Sequence, residues 1–134
     1  MDHRKYTRRI RHLLSAPLVF SMIVPLIILH VFIELYQNIV FRLYKLQLVK
    51  SKNYIRIDRY RLQYLNPLEK IFCVYCGYAN GLLHYASVIA GQTERYWCGI
   101  KHKKYSGFVP PEHHKNFLEY GDKEACDNVA KKKW

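Results

Sequence analysis

From residue 13 to residue 33 the chain runs for 21 residues without a formal charge, LLSAPLVFSMIVPLIILHVFI. As a helix rising about 1.5 Å per residue, such a run covers roughly 30 Å, the hydrocarbon thickness of a bilayer. The run exceeds the apolar region of a usual signal peptide, and no clean A-x-A site follows it. The pattern predicts a membrane segment over residues 13–41. Pro17 and Pro25 interrupt it. A kink at Pro25 allows two arrangements, a single span or a re-entrant helix that dips into one leaflet and returns.

Beyond the apolar run the periodicity changes. Ile39, Leu43, Leu46 and Val49 suit a helix continuing along a surface, whereas residues 54–62 (YIRIDRYRL) alternate apolar and charged side chains and predict a short strand. Asn66-Pro67 marks a boundary, because the residue before proline avoids the helical region. Leu82 or Leu83, Ala86, Ile89 and Ala90 then repeat at helical spacing and predict a helix over residues 79–94. Pro111, Glu112 and Gly121 have the order of a helix start, an N-terminal acid and a helix stop, predicting a short helix over residues 112–120. The expected organisation is a basic arm (1–12), the membrane segment (13–41), a basic amphipathic connector (42–66), a small Cys/His-containing domain (67–121) and a basic, flexible tail (122–134). The fold class is mainly α: an N-terminal membrane helix, single span or re-entrant, followed by a small α-rich, metal-stapled domain.

Charge sharpens the membrane reading. The formal net charge is +12, and residues 1–67 hold 12 Lys and Arg against 3 Asp and Glu, while residues 68–134 hold 10 against 7. An anionic partner therefore belongs to the first half, and the apolar run inside that half favours lipid headgroups over nucleic acid. Arg4, Lys5, Arg8, Arg9 and Arg11 precede the run, and the side chains expected at headgroups after it are Arg42, Lys45, Lys50, Lys52, Arg56 and Arg59. The balance of flanking charge gives a slight preference for a cytoplasmic C-terminus. His30 and Glu34, four residues apart, share one helix face near the far end of the run. They are read as interface residues rather than as a proton-handling or metal pair.

The chemical signal lies in Cys73-Val74-Tyr75-Cys76-Gly77 and Cys98-Gly99-Ile100-Lys101-His102, with 21 residues between Cys76 and Cys98. A C-x2-C pair forms a tight knuckle around a metal, and Gly77 allows a sharp turn behind it. Cys98 and His102 have i, i+4 spacing. With Cys73 and Cys76 they complete a Cys3His set, which closes a tetrahedral zinc site. The alternatives are free structural cysteines, disulfides on an oxidising side of the membrane, and iron, for which the fourth cysteine, Cys126, stands in a polar tail. His84 reads as a packing or surface histidine. His113 and His114, adjacent on a helix, point some 100° apart and do not easily share one metal.

The strings YIRIDRYRLQY (54–64), CVYCGYANGLL (73–83) and TERYWCGIKH (93–102) resemble a family of small, uncharacterised bacterial membrane proteins with CxYCGYANGL and YWCxIKH motifs. The resemblance covers most of the chain from about residue 15 onward. It implies a bacterial inner-membrane protein in which Cys73, Cys76, Cys98 and His102 are the positions matching the motifs. No activity comes with it.

No Ser/His/Asp order, phosphate loop or carboxylate dyad points to catalysis. The expected function is thus a non-enzymatic, membrane-anchored accessory or adaptor protein, its zinc structural, its C-terminal domain on the cytoplasmic face and a larger membrane complex its partner. The alternative is an interfacial enzyme or redox component, in which an open metal site or His113 and His114 act on a lipid-linked or electron-carrying partner.

Overall fold

The computed structural model describes the backbone of residues 3–133 and the side chains of residues 9–132. The side chains of Arg4, Lys5, Arg8 and Lys133, and the whole of Trp134, lie outside the described residues. The protein is mainly helical: α1 (His3–Ser21), α2 (Ile23–Leu43), α3 (Pro67–Trp97) and α4 (Lys123–Lys133), with short 3₁₀ turns at Ser51–Asn53, Arg59–Arg61 and Glu112–Asn116. It forms two compact units, Met1–Ala86 and Ser87–Trp134, with α3 supplying residues to each.

The apolar run is helical throughout except at Met22, where α1 gives way to α2. Pro25 accounts for the break. It has no N–H to offer the carbonyl of Ser21, and its ring crowds that carbonyl. Met22 N–H instead reaches back to Val19 O at 3.3 Å. Residues Arg9–Leu43 are long and apolar enough to cross a membrane, with a mean hydropathy of 2.5 over the most apolar 18-residue window. A soluble core helix of that hydropathy would be mostly buried, but only 6% of the apolar window is. Leu13, Leu14, Leu18, Val31, Phe32 and Leu43 are all more than half exposed.

α2 ends three residues after Val40, at Leu43, and does not continue through Val49. Leu46 N–H bonds to Phe41 O at 2.8 Å and Lys45 N–H to Arg42 O at 3.3 Å, the paired closure of a Schellman motif. Lys45 takes the left-handed position usually given to glycine, with φ +55°. α3 begins at the Asn66-Pro67 boundary, well before the helix expected over 79–94: Pro67 occupies the first turn, and the Glu69 carboxylate accepts the Asn66 backbone N–H at 3.0 Å.

α2 and α3 run in the same direction. His30 meets Tyr78 and Gln37 meets Tyr85, each pair 48 residues apart, while Phe20 at the end of α1 packs on Phe72 and Tyr75. Two parallel helices need a returning connection, and residues 44–66 provide it as an extended strap. The strand expected over residues 54–62 does not form, and no strand is present among the described residues. The strap has no neighbouring strand to pair with. Its backbone lies against α3, where a Cβ at Gly77 would stand 2.6 Å from Arg56 O, and one at Gly81 would stand 2.6 Å from Tyr54 O and 2.8 Å from Ile55 Cα. Tyr54 and Ile55 are partly buried, whereas residues 56–61 are all exposed, Ile57 and Tyr60 among them, so the alternation read as a strand does not mark one buried face.

Gln37 fastens the strap to α2. Its side-chain amide pairs with both backbone groups of Val49, Nε2 donating to the carbonyl and Oε1 accepting the N–H, each at 3.0 Å. Nε2 also donates to the Tyr85 hydroxyl, which in turn donates to Glu34 Oε1 at 2.7 Å. Gln37 is 3% exposed and Tyr85 fully buried, so a lost partner here leaves a buried polar group unpaired, at a cost of about 1–3 kcal/mol. His30 Nδ1 lies 3.0 Å from the Tyr78 hydroxyl and its Nε2 3.8 Å from Glu34. His30 and Glu34, read as interface residues, thereby also join α2 to α3.

The second unit holds the end of α3 and the rest of the chain. Where a flexible tail was expected, residues 123–133 are helical in α4, and the Asp122 carboxylate accepts Ala125 N–H at 3.0 Å as its cap.

Candidate metal centre

α3 closes on a left-handed glycine: the Glu94 carbonyl accepts N–H groups from Cys98 and Gly99, at 2.8 and 2.9 Å, and Gly99 has φ +63°. The chain leaving Gly99 is then held to a later segment by an isolated parallel bridge, Ile100 to Leu118, with Lys101 N–H on Leu118 O and Leu118 N–H on Gly99 O. Lys101 and Glu119 add an ion pair beside it. This bridge joins the two ends of the intervening loop. As a result His102, just after the first strand of the bridge, comes close to His114, just before the second.

Three side chains converge there. One donor atom each from Glu94, His102 and His114 all lie within 4.8 Å of one another. His114 is 3% exposed, packed on Phe117 with ring centroids 4.9 Å apart, and its Nε2 meets the Glu94 carboxylate at 3.0 Å. Its Nδ1 is buried without a hydrogen-bond partner. His113 Nε2 also reaches Glu94, at 2.7 Å. Its ring lies flat against α3 at Gly91, where a Cβ would come within 2.8 Å of it. Burial raises the Glu94 pKa, but hydrogen bonds from His113 and then His114 outweigh it and hold the carboxyl below its ordinary range.

Two imidazoles and a carboxylate are the donor set of open zinc sites and of iron(II) sites with free coordination positions. The residues fit such an ion. The Glu94 carboxyl is held below its ordinary range, the His102 ring lies 5.4 Å from that of His114, and His114 already turns its Nε2 to Glu94. Coordination would replace the His114 to Glu94 hydrogen bond with metal bonds and release a proton.

The sequence-predicted set fares differently. Cys73 and Cys76 sit in the interior of α3, where no knuckle turn exists, and the helix continues without reversal to Trp97. The returning helix expected over residues 79–94 is part of this single element, because Gly77 and Gly81 serve close approach of the strap rather than a turn. Of Cys73, Cys76, Cys98 and His102, only His102 joins a group of metal-capable side chains among the described residues. All four cysteines are free, with Cys76 and Cys98 exposed. The expected helix over residues 112–120 is a 3₁₀ turn at Glu112–Asn116, and in it His113 and His114 share one carboxylate instead of one metal. His84 packs edge-on against Tyr54, at 5.0 Å between centroids. Glu94 went unremarked in the sequence because a lone acid in a last helical turn carries no spacing signal. Compared with family models, with curated proteins and with solved structures, the chain gives no match in any of the three.

Proposed function

We propose that the protein is a membrane-associated metalloprotein whose C-terminal unit binds zinc through Glu94, His102 and His114. The observation that carries this reading is the convergence of three metal-capable donors from separate segments, one of them the buried His114 imidazole. Three protein ligands leave a tetrahedral zinc one open position, which is the arrangement of reactive rather than structural sites. The reading therefore favours an interfacial enzyme over a purely structural adaptor; iron(II) is the second metal this donor set suits. The resemblance supports a bacterial inner-membrane location, and the balance of flanking charge supports this unit on the cytoplasmic side.

Exposed apolar side chains along α1 and α2 support membrane contact, and the strap supports a pose. Arg56 and Arg59 are exposed, and Arg56 lies beside Gly77, one residue from the Tyr78 that meets His30. In a simple span these cations would sit at the depth of the apolar run, each costing about 2.5–3.5 kcal/mol near the bilayer centre. A molecule set into one leaflet, α1 and α2 in the lipid and Arg42, Lys45, Lys50, Lys52, Arg56 and Arg59 towards headgroups, avoids that cost.

Two measurements test these readings. Purified protein should carry about one zinc per chain by elemental analysis. His114→Ala and His102→Ala should abolish it and a Cys73→Ser, Cys76→Ser double variant should retain it; the reverse pattern would return the site to the cysteines. Separately, the chain should pellet with membranes in high salt, and replacing Leu14, Leu18, Val31 and Phe32 with serine should move it to the soluble fraction. Continued salt-resistant retention of that variant would place the anchor elsewhere.

A further inference from the structure

We infer that a cavity beside the metal centre receives a phosphoryl group, bound jointly by the metal and by lysine ammonium groups. This inference rests on the metal reading above and names the ligand of that site. The cavity measures about 490 Å³, and its walls include both His102 and His114. An ion held by these two side chains and Glu94 therefore faces the cavity with its open position.

The remaining walls define what enters. Lys101, Lys104 and Lys115 line the cavity with Glu112 as the one carboxylate, a net charge of +2 from three cations and one anion. Lys115 is paired with Glu112 at 3.1 Å and Lys101 with Glu119, both on the surface, so a phosphoryl group exchanges with these carboxylates for two of the three ammonium groups. Tyr105 and Phe108, stacked at 5.2 Å between centroids, form an apolar wall. A divalent ion flanked by ammonium groups suits a ligand of more than one negative charge with several acceptor oxygens, which a phosphoryl group offers and a single carboxylate does not. The volume exceeds that of a phosphate ion, leaving room against Tyr105 and Phe108 for an esterified organic group. A phospholipid headgroup and a soluble phosphomonoester share this chemistry.

The test uses the full chain in detergent micelles loaded with cobalt(II), whose visible absorption reports the ligands and whose unpaired electrons speed the phosphorus relaxation of any phosphate bound to it. Inorganic phosphate, glycerol phosphate and phosphatidate in mixed micelles are the probes. Relaxation enhancement saturable in at least one probe is expected, and enhancement by phosphatidate alone would identify the lipid as the source, by the soluble probes a free phosphoester. A Lys104→Ala, Lys115→Ala double variant should bind the responding probe about tenfold more weakly with an unchanged cobalt spectrum, and His114→Ala should lose both signals. A normal cobalt spectrum with no enhancement in any probe, or a lysine variant that binds as wild type, overturns this inference and leaves the metal centre standing. Absence of the cobalt spectrum in the wild type overturns both.

Discussion

Replacing Gly81 with valine is expected to cost the N-terminal unit a large part of its stability. A Cβ alone would stand 2.6 Å from one backbone oxygen of the strap and 2.8 Å from a backbone Cα. These are not ends of side chains that can swing aside, so the strap must lift. Overpacking typically costs about 1–3 kcal/mol, and lifting the strap also strains the Gln37 to Val49 pairing. Valine is a slightly better helix former than glycine, by a few tenths of a kcal/mol, so propensity and packing act in opposite directions and the sign of the result tells which governs. Leu83→Val, on the exposed side of the same helix, is the control. Thermal unfolding followed by circular dichroism should show Gly81→Val melting well below Leu83→Val. Equal melting temperatures would mean that the strap is not seated on α3.

Zinc is expected to raise the melting temperature of the full chain, through the C-terminal unit, by roughly 10–20 °C when present at about a hundred times its dissociation constant. Binding to the folded state alone contributes about 2.7 kcal/mol under that condition, and in a small unit each kcal/mol shifts the midpoint by about 4–8 °C. Two variants separate ligation from packing. His102 is exposed, so His102→Ala should leave the metal-free midpoint nearly unchanged while removing the response to zinc. His114 is buried against Phe117 and bonded to Glu94, so His114→Ala should lower the metal-free midpoint as well. A full zinc response in His102→Ala would remove that residue from the site.

The helical character and the apolar run could be read directly, because 21 uncharged residues have few other physical explanations. The Asn66-Pro67 boundary was legible too, but the helix was expected only from residue 79, whereas α3 starts at Pro67. The roles of Gly77 and Gly81 could not be read. A glycine permits either an unusual backbone angle or a close approach, and Gly77 behind C-x2-C suggested a turn when the need was proximity. The alternation over residues 54–62 misled: residues 56–61 are all exposed and Arg59–Arg61 form a 3₁₀ turn, and a sequence pattern does not say whether a neighbour is a strand or a helix. In the candidate site His102 was singled out, whereas Glu94 and His114 depend on the single bridge between Ile100 and Leu118. That contact is set by tertiary packing and leaves no periodic trace.

The parallel pairing of α2 with α3 also has a consequence in time. His30 and Gln37 find their partners 48 residues later in the chain. At synthesis rates of about 5–20 residues per second, α2 precedes its partner by roughly 2–10 s. Throughout that interval Gln37 and Glu34 lack the Tyr85 hydroxyl, and Gln37 lacks Val49 for part of it, while the apolar face of α2 is already complete. The strap and α3 therefore assemble onto a helix whose apolar face has been exposed since its own synthesis.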